Sequence, residues 1–216
     1  MSKRLSPLQS RVLQRLAGMQ PPWTLTGGAA LAGFHLGHRS TRDLDLFWHG
    51  QGTVVEVRRE VVARLAADGL VVVELRSTPS FCSLQVRDGA HSVVVDLVAE
   101  PVATIEPPVQ EQVGGVSIAV DSRHEILVNK LCALLHRSEV RDLFDIAALV
   151  AAGGDLERAL SDAPRKDGGF SALTLGWSLS NWQIADAVRA SGLQAHIDEI
   201  EAFRRVLLER AAGPRP

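Results

Sequence analysis

The segment "TGGAALAGFHLGHRSTRDLDLFW", residues 26–48, joins two signals that a plain hydrophobic core has no use for. Gly27-Gly28 stand before a short apolar run, and "DLDLFW" alternates like a β-strand while carrying Asp43 and Asp45. Aspartate is depleted in strands, so a pair at alternate positions either faces water or holds something positive. Alternation puts Asp43, Asp45 and Phe47 on one face and Leu44 and Leu46 on the other. Two residues along a strand span roughly 6.6 Å, close enough for flexible carboxylates to converge on shared cations. Paired cations at a phosphoryl-transfer centre lie about 3.5–4 Å apart, bridged by oxygen ligands. Oxygen-only ligation suits Mg2+ or Mn2+ rather than zinc.

Gly27-Gly28 sit where a strand turns into a helix. There, backbone N–H groups and a helix N-terminus can approach a phosphate closely. Asp96, the acid within the apolar run "HSVVVDLV", is a candidate third carboxylate from another strand. Like charges crowded in this way raise one another's pKa, and a divalent cation removes that cost. Further on, "NKLCALLHRSEVRDLFDIAAL" carries Lys130, Arg137 and Arg141, with Lys130 and Arg137 seven apart on one helix face. Each feature has an ordinary counterpart: a glycine turn, a wet edge strand, a strand-end aspartate, a surface lysine. Arg141 and Asp145 can equally form an i,i+4 pair. The order of the features carries the argument: glycine turn, paired aspartates, third aspartate, basic helical region.

The rest of the chain reads as α+β. Ser6-Pro7 starts a helix with Leu8, Val12, Leu16 and Met19 at helical spacing. "WTLT" is a short strand, "AALAGFHL" a helix and "TVVEVRREVVARLAADG" an amphipathic helix closing on Gly69. Three strands follow, "LVVVELR", "FCSLQVR" and "HSVVVDLV", the last two joined across "RDGA". These elements predict an α+β N-terminal lobe over residues 1–108, with a mixed sheet flanked by helices. Residues 109–216 are expected to form a mainly helical C-terminal lobe that opens on a small hairpin, "EQVGGVSIAV". Ser122 and Glu125 have capping-box spacing before the first of its helices. "EVRDLFDIAALVAAGG" ends on glycines, "DLERALSDAP" on proline, and "HIDEIEAFRRVLLERAAG" is the last helix. "RKDGGFSALTLGWSLSN" reads as loop.

The 216 residues carry a formal net charge of −2, which exerts no global pull on nucleic acid or anionic membrane. Cys82 and Cys132 lie in apolar runs, as buried reduced thiols would in a reducing cytoplasm. The basic N-terminus lacks the apolar core of a signal peptide, and no run reaches the roughly 18 apolar residues of a membrane span. These features predict a soluble, cytoplasmic protein. The histidines form no zinc pattern beyond His35 and His38.

The block Gly27, Gly28, His38, Arg39, Thr41, Asp43, Asp45, Phe47 resembles the AbiEii/AbiGii toxin family of nucleotidyltransferases. Its pattern is a Gly-Gly turn followed by His-Arg-x-Ser/Thr-x-Asp-x-Asp-x-Phe. A second block, Lys130, Arg137, Arg141, Asp142 and Asp145, resembles that family's lysine-led helix followed by Arg-Asp-x-x-Asp. The resemblance covers residues 23–152 and implies a polymerase-β-like core with a helical C-terminal lobe. It implies transfer of a nucleotide from an NTP with Mg2+, by a toxin of a toxin–antitoxin or phage-exclusion system. By the same resemblance Asp43 and Asp45 bind metal, with Asp96 as a third ligand or the base that activates the acceptor hydroxyl. Gly27, Gly28 and the loop shaped by Arg39 and Thr41 bind the nucleotide, Lys130 contacts phosphate, and Asp142 is an active-site residue. The implied partners are NTP, a tRNA acceptor end or other RNA, and a cognate antitoxin protein.

Competing readings use the same residues. A small-molecule acceptor fits the near-neutral charge, since RNA binding normally leaves a basic footprint. An inactive domain that only binds a nucleotide or a partner is disfavoured by the retention of all three aspartates. A glycosyltransferase Asp-x-Asp is disfavoured by the glycine turn so close upstream.

Overall fold

The computed structural model describes residues 4–212, which divide into two compact units at Ser122–Arg123. In the first, helix α1 (Pro7–Leu16) starts at Ser6, whose hydroxyl accepts from the Gln9 amide while the Gln9 side chain accepts from the Ser6 amide. That reciprocal cap satisfies two helix-end donors. Strand β1 (Thr24–Thr26) runs into helix α2 (Gly27–Ala30), which continues as a π-helical turn over Leu31–His35. Strand β2 (Asp43–His49), helix α3 (Val55–Ala67) and strands β3 (Val71–Ser77), β4 (Phe81–Asp88) and β5 (His91–Glu100) follow as expected. The hairpin of β6 (Val109–Val113) and β7 (Val116–Val120) completes the unit.

One mixed sheet holds all seven strands in the order β3-β4-β5-β2-β1-β7-β6. The pairs β2–β5 and β1–β7 are parallel, and the others are antiparallel. Because β7 pairs with β1, the hairpin expected in the second lobe belongs to the first unit, and the boundary lies later than residue 108. Leu44, Leu46 and Trp48 of β2, Leu84 and Val86 of β4, and Val95 and Leu97 of β5 are fully buried. Val12, Leu13 and Leu16 of α1 and Val61 and Leu65 of α3 are buried in the same unit. Asp43, Asp45 and Asp96 point to the other face of the sheet, as the alternation of each strand requires.

The second unit contains α4 (Arg123–Arg137), α5 (Val140–Ala151), α6 (Leu156–Lys166), α7 (Ala172–Ser180), α8 (Ile184–Ser191) and α9 (Ile197–Ala211). Gly213, the last residue of the stretch read as the final helix, lies outside the described residues. Two expectations are corrected here. Helix α6 does not stop at proline: Pro164 sits inside its last turn, and the helix continues to Lys166. The segment read as loop contains α7, which Ser171 caps by accepting from the Thr174 amide while Leu175 and Leu179 are buried at i,i+4. Cys82 is buried and Cys132 partly so, and neither is in a disulfide. Among the described residues no helix is long and apolar enough to cross a membrane.

Candidate active site

Strand register assembles the carboxylates. In the parallel β2–β5 pair Asp45 stands directly beside Asp96, and Asp43 beside Val94. Neighbouring strands lie about 4.8 Å apart, so Asp45 and Asp96 are adjacent on one face while Asp43 is one alternation away. On the other side of β2, Thr26 pairs with Asp45, and Gly27 follows it. Gly27 has φ +65°, the left-handed region that glycine enters without strain. A Cβ at Gly27 would collide with the Asp45 carboxylate and stand 2.9 Å from its Cγ. A Cβ at Gly28 would lie 2.9 Å from a guanidinium nitrogen of Arg39 and 3.3 Å from the Thr41 hydroxyl. Gly27 is thus favoured by both its backbone and its approach to a carboxylate, while Gly28 lies close to the flexible end of Arg39 in the loop that carries Thr41.

Neutral donors hold Asp43 and Asp96 in place. The Thr41 hydroxyl (3.1 Å) and the Arg42 amide (2.9 Å) both donate to Asp43 Oδ1. The Ser83 hydroxyl on β4 donates to Asp96 Oδ1 at 2.6 Å. Among the described residues neither Asp43 nor Asp96 makes an ion pair. Burial pushes the Asp96 carboxyl above its ordinary pKa; the Ser83 hydrogen bond opposes this, and the negative charge of Asp43 adds to it. The repulsion expected from clustered aspartates is therefore present. The donor set is oxygen-only and anionic, which fits a hard divalent cation. The carboxylates share a face without being gathered into a cage: among the described residues no group of three His, Cys, Asp or Glu stands ready to hold an ion.

The second motif block lies in the helical unit. Lys130 on α4 is 7% exposed, and its ammonium lies 2.6 Å from Asp142 and 3.0 Å from Asp145, both buried on α5. Arg137 adds two bonds to Asp142, at 2.7 and 2.9 Å. Burial pulls the Lys130 pKa down, but Asp145 and Asp142 outweigh it and hold the ammonium above its ordinary value. Lys130 is thus a fixed, fully charged cation. Beside it, Glu125 of α4 is buried against Lys166 of α6 at 2.7 Å.

Two groups escaped the reading of the sequence. Ser83 was findable, because counting back from a two-residue turn at Gly89-Ala90 puts it opposite Asp96. Asp121, just after β7, is fully buried and its carboxylate accepts no hydrogen bond among the described residues. The His49 Nε2 atom lies 3.7 Å from it, and the His35 ring bonds its backbone carbonyl at 2.8 Å. Nothing in local sequence marks that convergence, which depends on β7 crossing to β1.

Residues 11–210 match the family model described as "Nucleotidyl transferase AbiEii toxin, Type IV TA system". No protein with a curated description matches the sequence. Among solved structures, the fold is similar to MenT4, a nucleotidyltransferase toxin from Mycobacterium tuberculosis. The two are 19% identical over 93% of this chain and 91% of that one, with a TM-score of 0.54. It is also similar to JHP933 from Helicobacter pylori, 18% identical over 95% of this chain and 90% of that one, with a TM-score of 0.52. At such identities the likeness establishes a shared fold.

Proposed function

The chain belongs to the AbiEii nucleotidyltransferase toxin family, and on that premise we propose that it transfers a nucleoside monophosphate from an NTP to a hydroxyl at an RNA end, such as a tRNA acceptor end. The acceptor oxygen attacks the α-phosphorus, the bond from that phosphorus to the bridging oxygen breaks, and pyrophosphate leaves. The observation that carries the reading is the row Gly27, Asp45, Asp96, in which a glycine turn abuts one carboxylate and strand register sets a second beside it. Asp43 and Asp45 would hold Mg2+ or Mn2+, which supplies charge stabilisation to the transferring phosphoryl group. Asp96 takes the hydroxyl proton, standing beside Asp45 on the next strand with one oxygen held by Ser83. Gly27 and Gly28 lend backbone N–H groups to the triphosphate, and Arg39 and Thr41 shape the loop beside them. Lys130 and Asp142 belong to the family's second block; ammonium and carboxylate already pair with each other inside the helical unit, so we assign them to ordering that unit.

Membership of a type IV toxin–antitoxin family implies a toxin role, an NTP substrate and an antitoxin partner. In this reading the antitoxin is a cognate protein and the enzyme works in the cytoplasm. The test is incubation of the purified chain and its Asp45→Asn variant with Mg2+, total RNA and each α-labelled NTP in turn. Label entering RNA with wild type alone supports the proposal. Label absent from RNA with all four NTPs overturns the RNA acceptor. The net charge of −2 favours a small-molecule acceptor as the second reading, which label in a small product would support.

A further inference from the structure

The face of the sheet that carries the aspartates continues outward over β4 and β3, and its composition there is unusual for an exposed surface. Register places Phe81, Ser83, Gln85 and Arg87 of β4 on that face, with Val71 and Val73 of β3 opposite Arg87 and Gln85. A bulge between Glu74 and Arg76 brings Arg76 to the same side, opposite Ser83. Val71 is 58% exposed, Val73 39% and the bulged Leu75 54%. The Arg76 guanidinium lies 5.9 Å from the Phe81 ring centroid, over its face, and Arg87 donates to Gln85.

Charge is sorted between the two faces of these strands. Both acids of β3 and β4 go to the opposite face: Glu74 pairs with Arg58 at 3.0 Å and Asp88 with Arg11 at 2.6 Å. The outer face is left with two arginines, an aromatic ring, an amide, a hydroxyl and exposed valines, without a carboxylate. Cations beside apolar and aromatic side chains suit a strand whose backbone is anionic and whose bases have stackable faces.

Resting on the proposed reaction, we infer that the outer face of β3–β4 is a platform for the single-stranded end of the RNA acceptor. It is continuous with the site, because Ser83 bonds Asp96 and also belongs to the platform. Two strand spacings of about 4.8 Å put β3 about 10 Å from the Asp96 column. That length accommodates about three bases stacked at 3.4 Å. Arg76 and Arg87 neutralise phosphates, Phe81 and the valines meet base faces, and the terminal hydroxyl reaches the carboxylates. The platform reconciles a net acidic protein with a polyanionic acceptor, since the cations needed are local.

The experiment measures binding of a fluorescein-labelled ten-nucleotide single-stranded RNA to the full chain by anisotropy, across a salt series. Wild type is compared with Arg76→Gln/Arg87→Gln and with Phe81→Ala, and each protein is also melted with and without Mg2+ and NTP. The double variant is expected to bind RNA at least tenfold more weakly at low salt. Its plot of log affinity against log salt should be shallower by about 0.7 for each arginine. Its stabilisation by Mg2+ and NTP should match wild type, which a structural defect would not allow. Phe81→Ala should weaken binding while leaving the salt slope unchanged. Equal RNA affinity and slope in the double variant, with transfer to RNA by wild type intact, overturns the platform and leaves the reaction standing. A wild type that binds no RNA overturns the platform too, and a concentration-dependent dimer in sedimentation would then assign the valine strip to a second copy of the chain.

Discussion

In the helical unit, Asp142 and Asp145 lie 2.6 and 3.0 Å from one lysine ammonium, with Arg137 closing on Asp142 from another side. In the sheet unit, Asp43 and Asp96 accept from a backbone amide and two hydroxyls, and no ion pair forms at either among the described residues. The first pair is buried and neutralised by the chain's own cations, whereas Asp43 is exposed and Asp96 half-buried, and among the described residues neither meets one. A carboxylate surrounded by the chain's own cations is finished as structure. One oriented by neutral donors keeps its charge available to a cation from outside. The pKa shifts follow the contrast, with Asp96 held up and its neighbour Asp43 contributing, and Lys130 held up by its two aspartates.

The sharpest way to break this contrast is to remove the internal cation. Lys130→Met should cost about 3–5 kcal/mol of stability, because two buried carboxylates lose the ammonium they share, even with Arg137 still on Asp142. Urea melts will measure it, and Lys130→Met combined with Asp142→Asn and Asp145→Asn should recover most of the loss. A loss below about 1 kcal/mol in the single variant would mean that the cluster is wetter than its burial implies.

The complementary change is Asp45→Asn, with Asp43→Asn beside it. Each should lower nucleotide transfer about a hundredfold or more, the scale set by loss of one preorganised electrostatic contact. Melting temperature should hold or rise slightly, since losing one of several crowded charges relieves repulsion. Activity within tenfold of wild type, at unchanged stability, would reduce these residues to a wet strand face.

A smaller effect tests the glycine turn that presses on Asp45. Gly27→Ala should cost about 1–2 kcal/mol, from the left-handed backbone alone, before any collision with the carboxylate. Gly28→Ala, where φ is ordinary and the neighbour is a flexible arginine, should cost less. Thermal melts of the pair decide it, and equal losses would argue against the tight approach.

The smallest effect is a pH dependence at the foot of the sheet unit. Burial pushes Asp68 up, but Arg11 and Arg15 outweigh it and hold the carboxyl below its ordinary value. A depressed folded-state pKa contributes stability that is present above the unfolded value and lost as pH falls through the folded one. The gap in melting temperature between wild type and Asp68→Asn should therefore be open at neutral pH and close as pH drops below the ordinary aspartate range. A gap independent of pH would assign the difference to packing.

How far the sequence could be read followed from how local each cause is. The cap at Ser6-Pro7, the alternation of β2 and the β4–β5 turn are decided within a few residues, and each element formed where expected. The carboxylate row was legible because Asp43 and Asp45 declare their face by alternation, and Asp96 stands out in an apolar run. Helix α7 was illegible because Thr174, Gly176 and Trp177 are weak helix formers. Its stability comes from burying Leu175 and Leu179, which is a tertiary fact. The β6–β7 hairpin was recognised, but its allegiance was not: pairing with β1 depends on strands far apart in the chain. The lysine cluster was legible as a motif, and its burial was not.

The parallel register of Asp45 on Asp96 has a consequence for the protein's own synthesis. Some fifty residues separate the two aspartates, and β1 gains its outer neighbour only when β7 has emerged. A nascent chain that has made the glycine turn and "DLDLF" therefore holds half a site, without the third carboxylate or the Ser83 that orients it. A slip of one residue between β2 and β5 would turn Asp43 and Asp45 into the core and Trp48 out of it. The error that would spoil the chemistry is thus the one the hydrophobic core resists most. For a nucleotidyltransferase toxin the proposed site would then exist only in a chain folded in register as far as β5.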